Sequence, residues 1–189
     1  MKILGASLLA FVALGCWCGA ALADVQMVNC STASSPTELD EDIVCPQFNL
    51  GGTLQSVQID VSGTIMGQLS LSNSGFISQT GAGTTSSSFS VGALAGFTFV
   101  NPLFEPSFTT GPRTLTATET LTVAGLSDSG DADLGTNSSS LGPYTGAGSF
   151  DIAISTVTSS GIEGGGGSFG GGGFTSASAT AVVTYTYAP

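Results

Sequence analysis

Apolar residues recur at every second position over much of this chain, and this period of two constrains the fold more than any other feature. The odd positions of residues 57–71 carry Val57, Ile59, Val61, Ile65, Leu69 and Leu71, with mostly polar residues between them. The same alternation appears in residues 115–123, 150–154 and 181–187. Because successive side chains of a strand point to opposite faces, this pattern is typical of strands with one buried face.

Threonine and serine fill most of the positions between the apolar residues, and threonine favours a pleated strand over a helix. No stretch of about three turns shows helical spacing. Turn-forming residues separate the strands, as in Asn73-Ser74-Gly75 and in the proline-rich stretch 101–112. The sequence therefore predicts an all-β fold, an antiparallel β-sandwich, whose topology stays open between jelly-roll-like and immunoglobulin-like.

Two further connections are predicted as loops. Residues 127–143 are polar, and residues 161–173 contain nine glycines around Ser168 and Phe169. A phosphate-binding loop would need a following helix, whereas a strand pattern follows here. We therefore predict a flexible glycine-rich loop at 161–173, with Phe169 exposed.

The first 23 residues have the layout of a secretory signal peptide. Lys2 gives a positive start, residues 3–14 an apolar run, and Ala21-Leu22-Ala23 a small-residue cleavage motif. Cleavage is expected between Ala23 and Asp24, which predicts a secreted, extracellular protein with no membrane insertion after signal removal. A lipoprotein modified at Cys16 is disfavoured, because Ala13 stands where leucine is expected.

Cys30 and Cys45 remain after that cleavage, and the secreted context predicts a disulfide bond between them. The bond would stabilise by about 3 kcal/mol in the chain-entropy model. It closes a loop in an acidic N-terminal segment, residues 24–45, which precedes a single β-sandwich domain, residues 46–189. Reactive thiols are disfavoured, since the chain has no histidine and its lysine leaves with the signal peptide.

Pro46-Gln47-Phe48-Asn49, followed by Gly52-Thr53-Leu54, resembles the start of the choice-of-anchor E domain. Residues 144–150 and the terminal run 179–187 are similar to its end, so the resemblance covers residues 46–189. It implies an exported bacterial protein of a family named for varied C-terminal sorting signals such as PEP-CTERM. This sequence ends at Tyr187-Ala188-Pro189 without such a signal, so free secretion is expected.

Charge and residue types argue against several functions. The chain has 13 acidic and 2 basic residues and no histidine. Such a surface disfavours nucleic acids and anionic membranes as partners. Triads that use histidine, and lysine-based mechanisms, lack their residues, so the protein is predicted not to be an enzyme. Glu119 alone lies on the apolar side of the predicted strand 115–123, and a bulge or sheet edge that lets it reach solvent is the preferred interpretation.

Asp128, Asp131 and Asp133 are calcium candidates, because they cluster oxygen ligands on the predicted loop 127–143. Their spacing does not match an EF-hand loop, and no other cofactor is predicted. For sugar binding, Tyr144, Tyr185 and Tyr187 are the aromatic candidates, although core packing accounts better for the last two.

These features predict a secreted, non-catalytic structural or interaction protein of the extracellular matrix or cell envelope. Its expected partners are matrix polysaccharide or other envelope proteins. One alternative is a fibre or adhesin subunit in which the terminal strand 179–187 adds to a neighbouring molecule. A further alternative is a carbohydrate-binding module.

Overall fold

The computed structural model describes residues 23–189, so the predicted signal peptide, with Cys16, lies outside the described residues except for Ala23. The described chain forms ten β-strands, arranged as two antiparallel sheets packed against each other. The predicted all-β sandwich is confirmed.

Sheet A has the strand order β1-β10-β4-β8. These strands are β1 (Asp24–Ser31), β4 (Thr53–Asn73), β8 (Thr120–Asn137) and β10 (Phe169–Ala188), and the two-residue strand β2 (Ser35–Pro36) also pairs with β10. The terminal strand β10 therefore lies inside the sheet, between β1 and β4.

Sheet B has the order β3-β9-β5-β6, and β7 also pairs with β5. Its strands are β3 (Asp40–Pro46), β5 (Gln79–Val91), β6 (Ser107–Thr109), β7 (Arg113–Leu115) and β9 (Ser149–Gly164). A short 3-10 turn, Gly142–Tyr144, precedes β9.

The long strands give the sandwich two ends. The base is the end where β1 begins and β10 ends, since Asp24 pairs with Tyr187 there. The tip is the opposite end, where Phe169 pairs with Asn73, and it holds the connections 74–78, 116–119 and 165–168.

Large side chains fill the core at the base. Phe48 packs against Tyr185 and Tyr187, with ring centroids 5.8 and 4.9 Å apart, and Tyr144 packs edge-on against Phe150 at 4.9 Å. The alternating apolar residues that the sequence places inside are buried there, including Val57, Ile59, Val61, Ile152, Ile154, Val183 and Tyr185. The period of two thus identifies the core correctly.

The predicted boundary between residues 45 and 46 differs from the structure. Strands β1 and β2 pair with β10 in sheet A, and β3 pairs with β9 in sheet B. The acidic segment 24–45 also buries Leu39 and Ile43 in the common core. Residues 24–45 are therefore part of the sandwich and do not precede it.

The predicted glycine-rich loop at 161–173 is wrong for most of its length. Strand β9 continues to Gly164 and β10 begins at Phe169, so residues 165–168 alone connect them. A Cβ on Gly171 would lie 2.7 Å from Ile162 Cδ1, and one on Gly173 would lie 2.6 Å from Leu69 Cδ2. These glycines are strand residues that let neighbouring groups approach closely.

The predicted loop 127–143 is also wrong in its first part, because β8 continues through it to Asn137. The buried Asn137 side chain then ends the strand: its amide donates to Ser140 O at 2.9 Å and its oxygen accepts from Ser140 N at 3.0 Å. Polar residues are compatible with β8 because one side of this edge strand faces solvent.

Candidate functional site

A disulfide bond closes one side of the sandwich. Cys30 and Cys45 are bonded, as predicted, with their Cα atoms 5.5 Å apart and both residues buried. Cys30 lies in β1, the edge of sheet A, and Cys45 lies in β3, the edge of sheet B. The bond therefore joins the two sheets at their edges.

Non-covalent contacts close the opposite side. Asp128 Oδ2 on β8 accepts a hydrogen bond from Ser107 N on β6 at 2.7 Å, which links sheet A to sheet B. Nearby, Phe104 stacks on Phe89 with ring centroids 4.9 Å apart and covers Gly130. Asp128 is therefore a link between the sheets.

The structure separates Asp128 from the other two calcium candidates, Asp131 and Asp133. Asp128 is paired with the buried Ile65, whereas Asp131 and Asp133 are paired with Ser62 and Asp60 on the outer face of sheet A. Since alternate strand residues point to opposite faces, Asp128 points away from the other two. The three residues lie in strand β8 and not in the predicted loop, so their side chains alternate between the two faces of the sheet.

Asp60 instead joins Asp131 and Asp133 on that outer face, and together they form the acidic cluster. Partial burial, followed by the negative charges of Asp133 and Asp131, raises the pKa of the Asp60 carboxyl above its usual range. Gln58 Nε2 donates to Asp133 Oδ2 at 3.4 Å. No group of three or more His, Cys, Asp or Glu residues within 23–189 is arranged to hold a metal ion.

Glu119 does not point into the core. The predicted strand 115–123 is broken at a turn: Leu115 ends β7 in sheet B, and β8 begins at Thr120 in sheet A. In this turn Glu119 Oε2 accepts from Thr116 N at 2.7 Å and from Thr116 Oγ1 at 2.8 Å. These bonds lower the pKa of Glu119, the opposite of the raised pKa that a general acid requires.

Two tyrosines at the base pack inside the core. Tyr144 and Tyr185 are buried, and their hydroxyls donate to Ala95 O at 2.8 Å and to Pro46 O at 2.7 Å. Burial, followed by interaction with Tyr144, raises the pKa of Tyr185 to about 12. Neither ring is free to stack on a sugar.

Exposed aromatic rings lie elsewhere. Phe169, expected to be exposed, is half-buried against Gly81 and Gly165. Phe76, in the turn after β4, is 95% exposed, and Phe174 lies exposed on the outer face of sheet A. The sequence carries a weak signal for Phe76, which stands beside Gly75 outside any alternating segment.

Hydroxyl side chains dominate both outer faces. On sheet B a shallow depression of about 440 Å³ lies over β5, β6 and β9. Hydroxyl groups of Thr84, Ser86, Ser107 and Ser159 line it, beside the missing side chain of Gly161. The Thr109 hydroxyl also lines it, but it donates to Gly83 O at 3.0 Å and accepts from Gly111 N at 3.1 Å. This hydroxyl trough can exchange hydrogen bonds with a polar polymer, because each hydroxyl both donates and accepts.

The tip and strand β1 are among the places that expose apolar side chains. At the tip, Phe76 and Ile77 extend from the connection between β4 and β5. On β1, Val25 is 60% and Met27 66% exposed, although both lie in a regular strand. Within residues 23–189 there is no helix of the length and hydropathy needed to span a membrane.

Comparisons with known proteins identify no family. No family model matches the chain, and neither does any curated protein. Chains from infectious bursal disease virus match weakly: the Gx strain at 13% identity and a TM-score of 0.19, over 89% of this chain and 42% of the viral chain. A chain of the T13 viral particle matches at 12% identity and a TM-score of 0.17, over 86% of this chain and 39% of the viral chain.

This chain thus spans about two fifths of those viral chains. Likenesses at such low TM-scores identify neither a fold nor a function. The resemblance to the choice-of-anchor E domain stays a prediction.

Proposed function

We propose that this protein is a secreted, non-catalytic structural or interaction protein of the extracellular matrix or cell envelope. The observation that carries the proposal is the surface of the sandwich. Both broad outer faces present small hydroxyl side chains, and sheet B adds the hydroxyl trough. Broad faces of this kind suit contact with an extended partner better than enclosure of a small molecule.

The disulfide bond supports the proposed compartment. The Cys30–Cys45 bond joins the two sheets at their edges, so it belongs to the tertiary structure and not to a peripheral loop. Disulfide bonds form and persist in oxidising environments outside the cytosol. A protein held together in this way is suited to the extracellular space.

The charge of the surface indicates the kind of partner. With 13 acidic and 2 basic residues, the protein repels acidic polymers. We therefore favour a neutral matrix polysaccharide at the hydroxyl trough, with envelope proteins as the other class of partner. The carbohydrate-binding alternative depends on the same trough, used as a specific site.

Cell fractionation tests the compartment. We expect the protein in the matrix or envelope fraction, beginning at Asp24, with Cys30 and Cys45 resistant to thiol labelling until reduced. Retention in the cytoplasm with both thiols free would contradict the proposal.

Co-sedimentation with isolated matrix polysaccharide tests the trough. The double variant Ser86→Ala with Ser159→Ala removes two trough hydroxyls and is expected to reduce the bound fraction several-fold. The matched control, Ser62→Ala with Ser178→Ala, removes two hydroxyls from the outer face of sheet A and should bind as the wild type. Equal binding by both double variants would exclude the trough as the contact.

Assembly with neighbouring molecules is the second candidate function. The expected donor strand 179–187 is already paired on both sides, with β1 and β4, and its Val183 and Tyr185 are fully buried. Strand addition by these residues would require removing them from the core. An assembly that leaves the fold intact must use a free sheet edge.

A further inference from the structure

Three of the four long edges of the sandwich carry features that discourage pairing with another strand. On β8, shifts of register interrupt the pairing with β4, and Asp128, Asp131 and Asp133 add charge. On β3, Asp40, Glu41 and Asp42 are exposed, and the strand ends at Pro46. Bulges, charges and proline are the means by which native sheets protect their edges.

The remaining edge of sheet B is covered by its own chain. Ser87 N and Phe89 N on β5 donate to Pro106 O and Phe104 O, both at 3.0 Å, so the segment before β6 occupies part of the β5 edge. Strands β6 and β7 pair with further parts of β5. A second molecule cannot add along this edge without displacing these segments.

Strand β1, the other edge of sheet A, has none of these protections among the described residues. Asp24 is its one charged side chain, at the start of the strand, and its eight residues pair with β10 without a shift of register. It is also where Val25 and Met27 are exposed. An unprotected strand edge with apolar side chains is a site for pairing with another strand.

The hydrogen bonds of β1 show which backbone groups are free. Thr32 N donates to Ala179 O at 2.9 Å, and the pairing of β1 with β10 continues in the same register. In an antiparallel pair, hydrogen-bonding positions alternate, so the even residues of β1 bond to β10. The N–H and C=O groups of Val25, Met27, Asn29 and Ser31 therefore point to the open side.

We propose that β1 pairs antiparallel with β1 of a second copy of this chain, around a two-fold axis at Met27. This register sets each Val25 opposite Asn29 of the other copy, so that free backbone groups meet free backbone groups. The two Met27 side chains lie opposite each other and exclude water together. The two Asp24 carboxylates lie about 20 Å apart, at 3.3 Å per residue, so they do not oppose the pairing.

The proposal rests on the second candidate function and narrows it. A two-fold contact uses the same surface on both copies and closes on itself. The product is a dimer with one continuous sheet formed from two A sheets. A fibre would need a second, different edge on each copy, whereas this contact uses the β1 edge of both copies.

Analytical ultracentrifugation of the secreted chain, residues 24–189 with its disulfide bond formed, tests the interface. We expect a concentration-dependent dimer for the wild type. Met27→Lys should weaken association about tenfold or more, because two like charges then lie directly opposite each other. Met66→Lys is the matched control, since Met66 is an exposed methionine on the outer face of the same sheet but in the internal strand β4; it should dimerise like the wild type.

Each other outcome contradicts the proposal in a distinct way. A monomeric wild type removes the dimer and the assembly candidate together, but leaves the matrix proposal standing. A series of larger oligomers keeps assembly and overturns the closed pair. Dimerisation of Met27→Lys at wild-type strength, or loss of the dimer in Met66→Lys, places the interface elsewhere.

Cysteine cross-linking tests the register. In the proposed pair the two Met27 Cα atoms are about 5.5 Å apart, within the range of a disulfide bond, so Met27→Cys should give a covalent dimer under mild oxidation. Asn29→Cys, exposed on the same face, is the control: its two copies lie about 13 Å apart in this register and should not cross-link. Cross-linking through residue 29 in preference to residue 27 would overturn the register.

Discussion

The base and the tip of this sandwich use the same strands but fill the space between the sheets differently. At the base, Tyr144, Tyr185 and Phe48 pack between the sheets and form part of the main apolar cluster. At the tip, inward positions of β5 and β10 carry glycines, among them Gly81 and Gly171, and Leu71 and Leu115 are buried outside that cluster.

The difference shows that strand pairing and core size are separate properties of a sandwich. Strand β10 stays paired with β4 from Phe169 to Ala188, while its inward residues change from glycine through alanine to valine and tyrosine. At the tip, where these inward side chains are small, buried polar contacts also hold the connections together. Asn73 provides them: its buried amide donates to Ile77 O at 2.8 Å and to Thr116 O at 2.9 Å.

Removing a large side chain at the base should have the largest effect. Tyr185→Ala leaves a cavity and an unpaired Pro46 carbonyl, and we expect a loss of about 3–5 kcal/mol in the free energy of unfolding, as for other large aromatic truncations. Chemical denaturation at neutral pH measures it. Tyr185→Phe keeps the ring and should lose about 1–3 kcal/mol, the cost of the unpaired carbonyl. Equal losses in both variants would show that packing at the base is not the dominant contribution.

The same tyrosine predicts a pH dependence. Folding raises the pKa of Tyr185 to about 12, so the folded state resists ionisation that the unfolded chain undergoes near pH 10. Its neutral form therefore stabilises fully below pH 10, and this contribution is lost as the pH rises towards 12. In denaturation measured at pH 9 and pH 11, Tyr185→Phe should lose less stability than the wild type over that interval. An identical loss would contradict the assignment to Tyr185.

Adding a side chain at the tip should reduce stability by an intermediate amount if the side chain points into the core, and not if it points to solvent. In Gly171→Val the added Cβ meets the backbone oxygen of Ser70 and the Ile162 side chain, and overpacking of this kind costs about 1–3 kcal/mol. A Cβ at Gly172 meets nothing within 4 Å, so for Gly172→Val we expect no loss of stability. Thermal unfolding of the two neighbouring variants measures the difference. Equal stability of the two variants would mean that the glycine tract is loosely packed.

The smallest change in stability is expected from a substitution in the acidic cluster, on the outer face of sheet A near the base. The raised pKa of Asp60 means that its ionised form is disfavoured by folding, so stability falls as the pH rises through that pKa. Asp60→Asn should gain less than about 1 kcal/mol at pH 7, because solvent screens this exposed cluster. The gain should shrink in high salt and vanish below the ordinary range of aspartate. A destabilised variant at neutral pH would show that Asp60 has a favourable partner.

The sequence predicts the base well, because its strands alternate large apolar residues with polar ones. It predicts β5 poorly: Thr85 and Ser87 face inward in a run of hydroxyl residues, and they pair with Ser160 and Thr158 at 2.8 and 2.5 Å. Polarity does not alternate in such a run, so the period of two is lost although the strand is regular.

Contacts between strands are the other part that the sequence does not show. Asp60 meets Asp131 and Asp133 because β4 pairs with β8, and that register is set by the whole sheet. The turn before β8 depends on Thr118 with φ of 60°, a conformation rarely adopted by threonine. The disulfide bond was predictable because two cysteines remain after the predicted signal-peptide cleavage, which leaves a single pairing.

Amide hydrogen exchange across the glycine tract tests most directly whether the tip is a paired sheet. In residues 169–173, the amides that face β4 should exchange much more slowly than those of the connection 165–168, because they are bonded within the sheet. The amides of residues 169–173 that point away from β4 serve as an internal reference. Uniformly fast exchange of residues 161–173 would contradict the paired sheet and support a flexible glycine-rich loop instead.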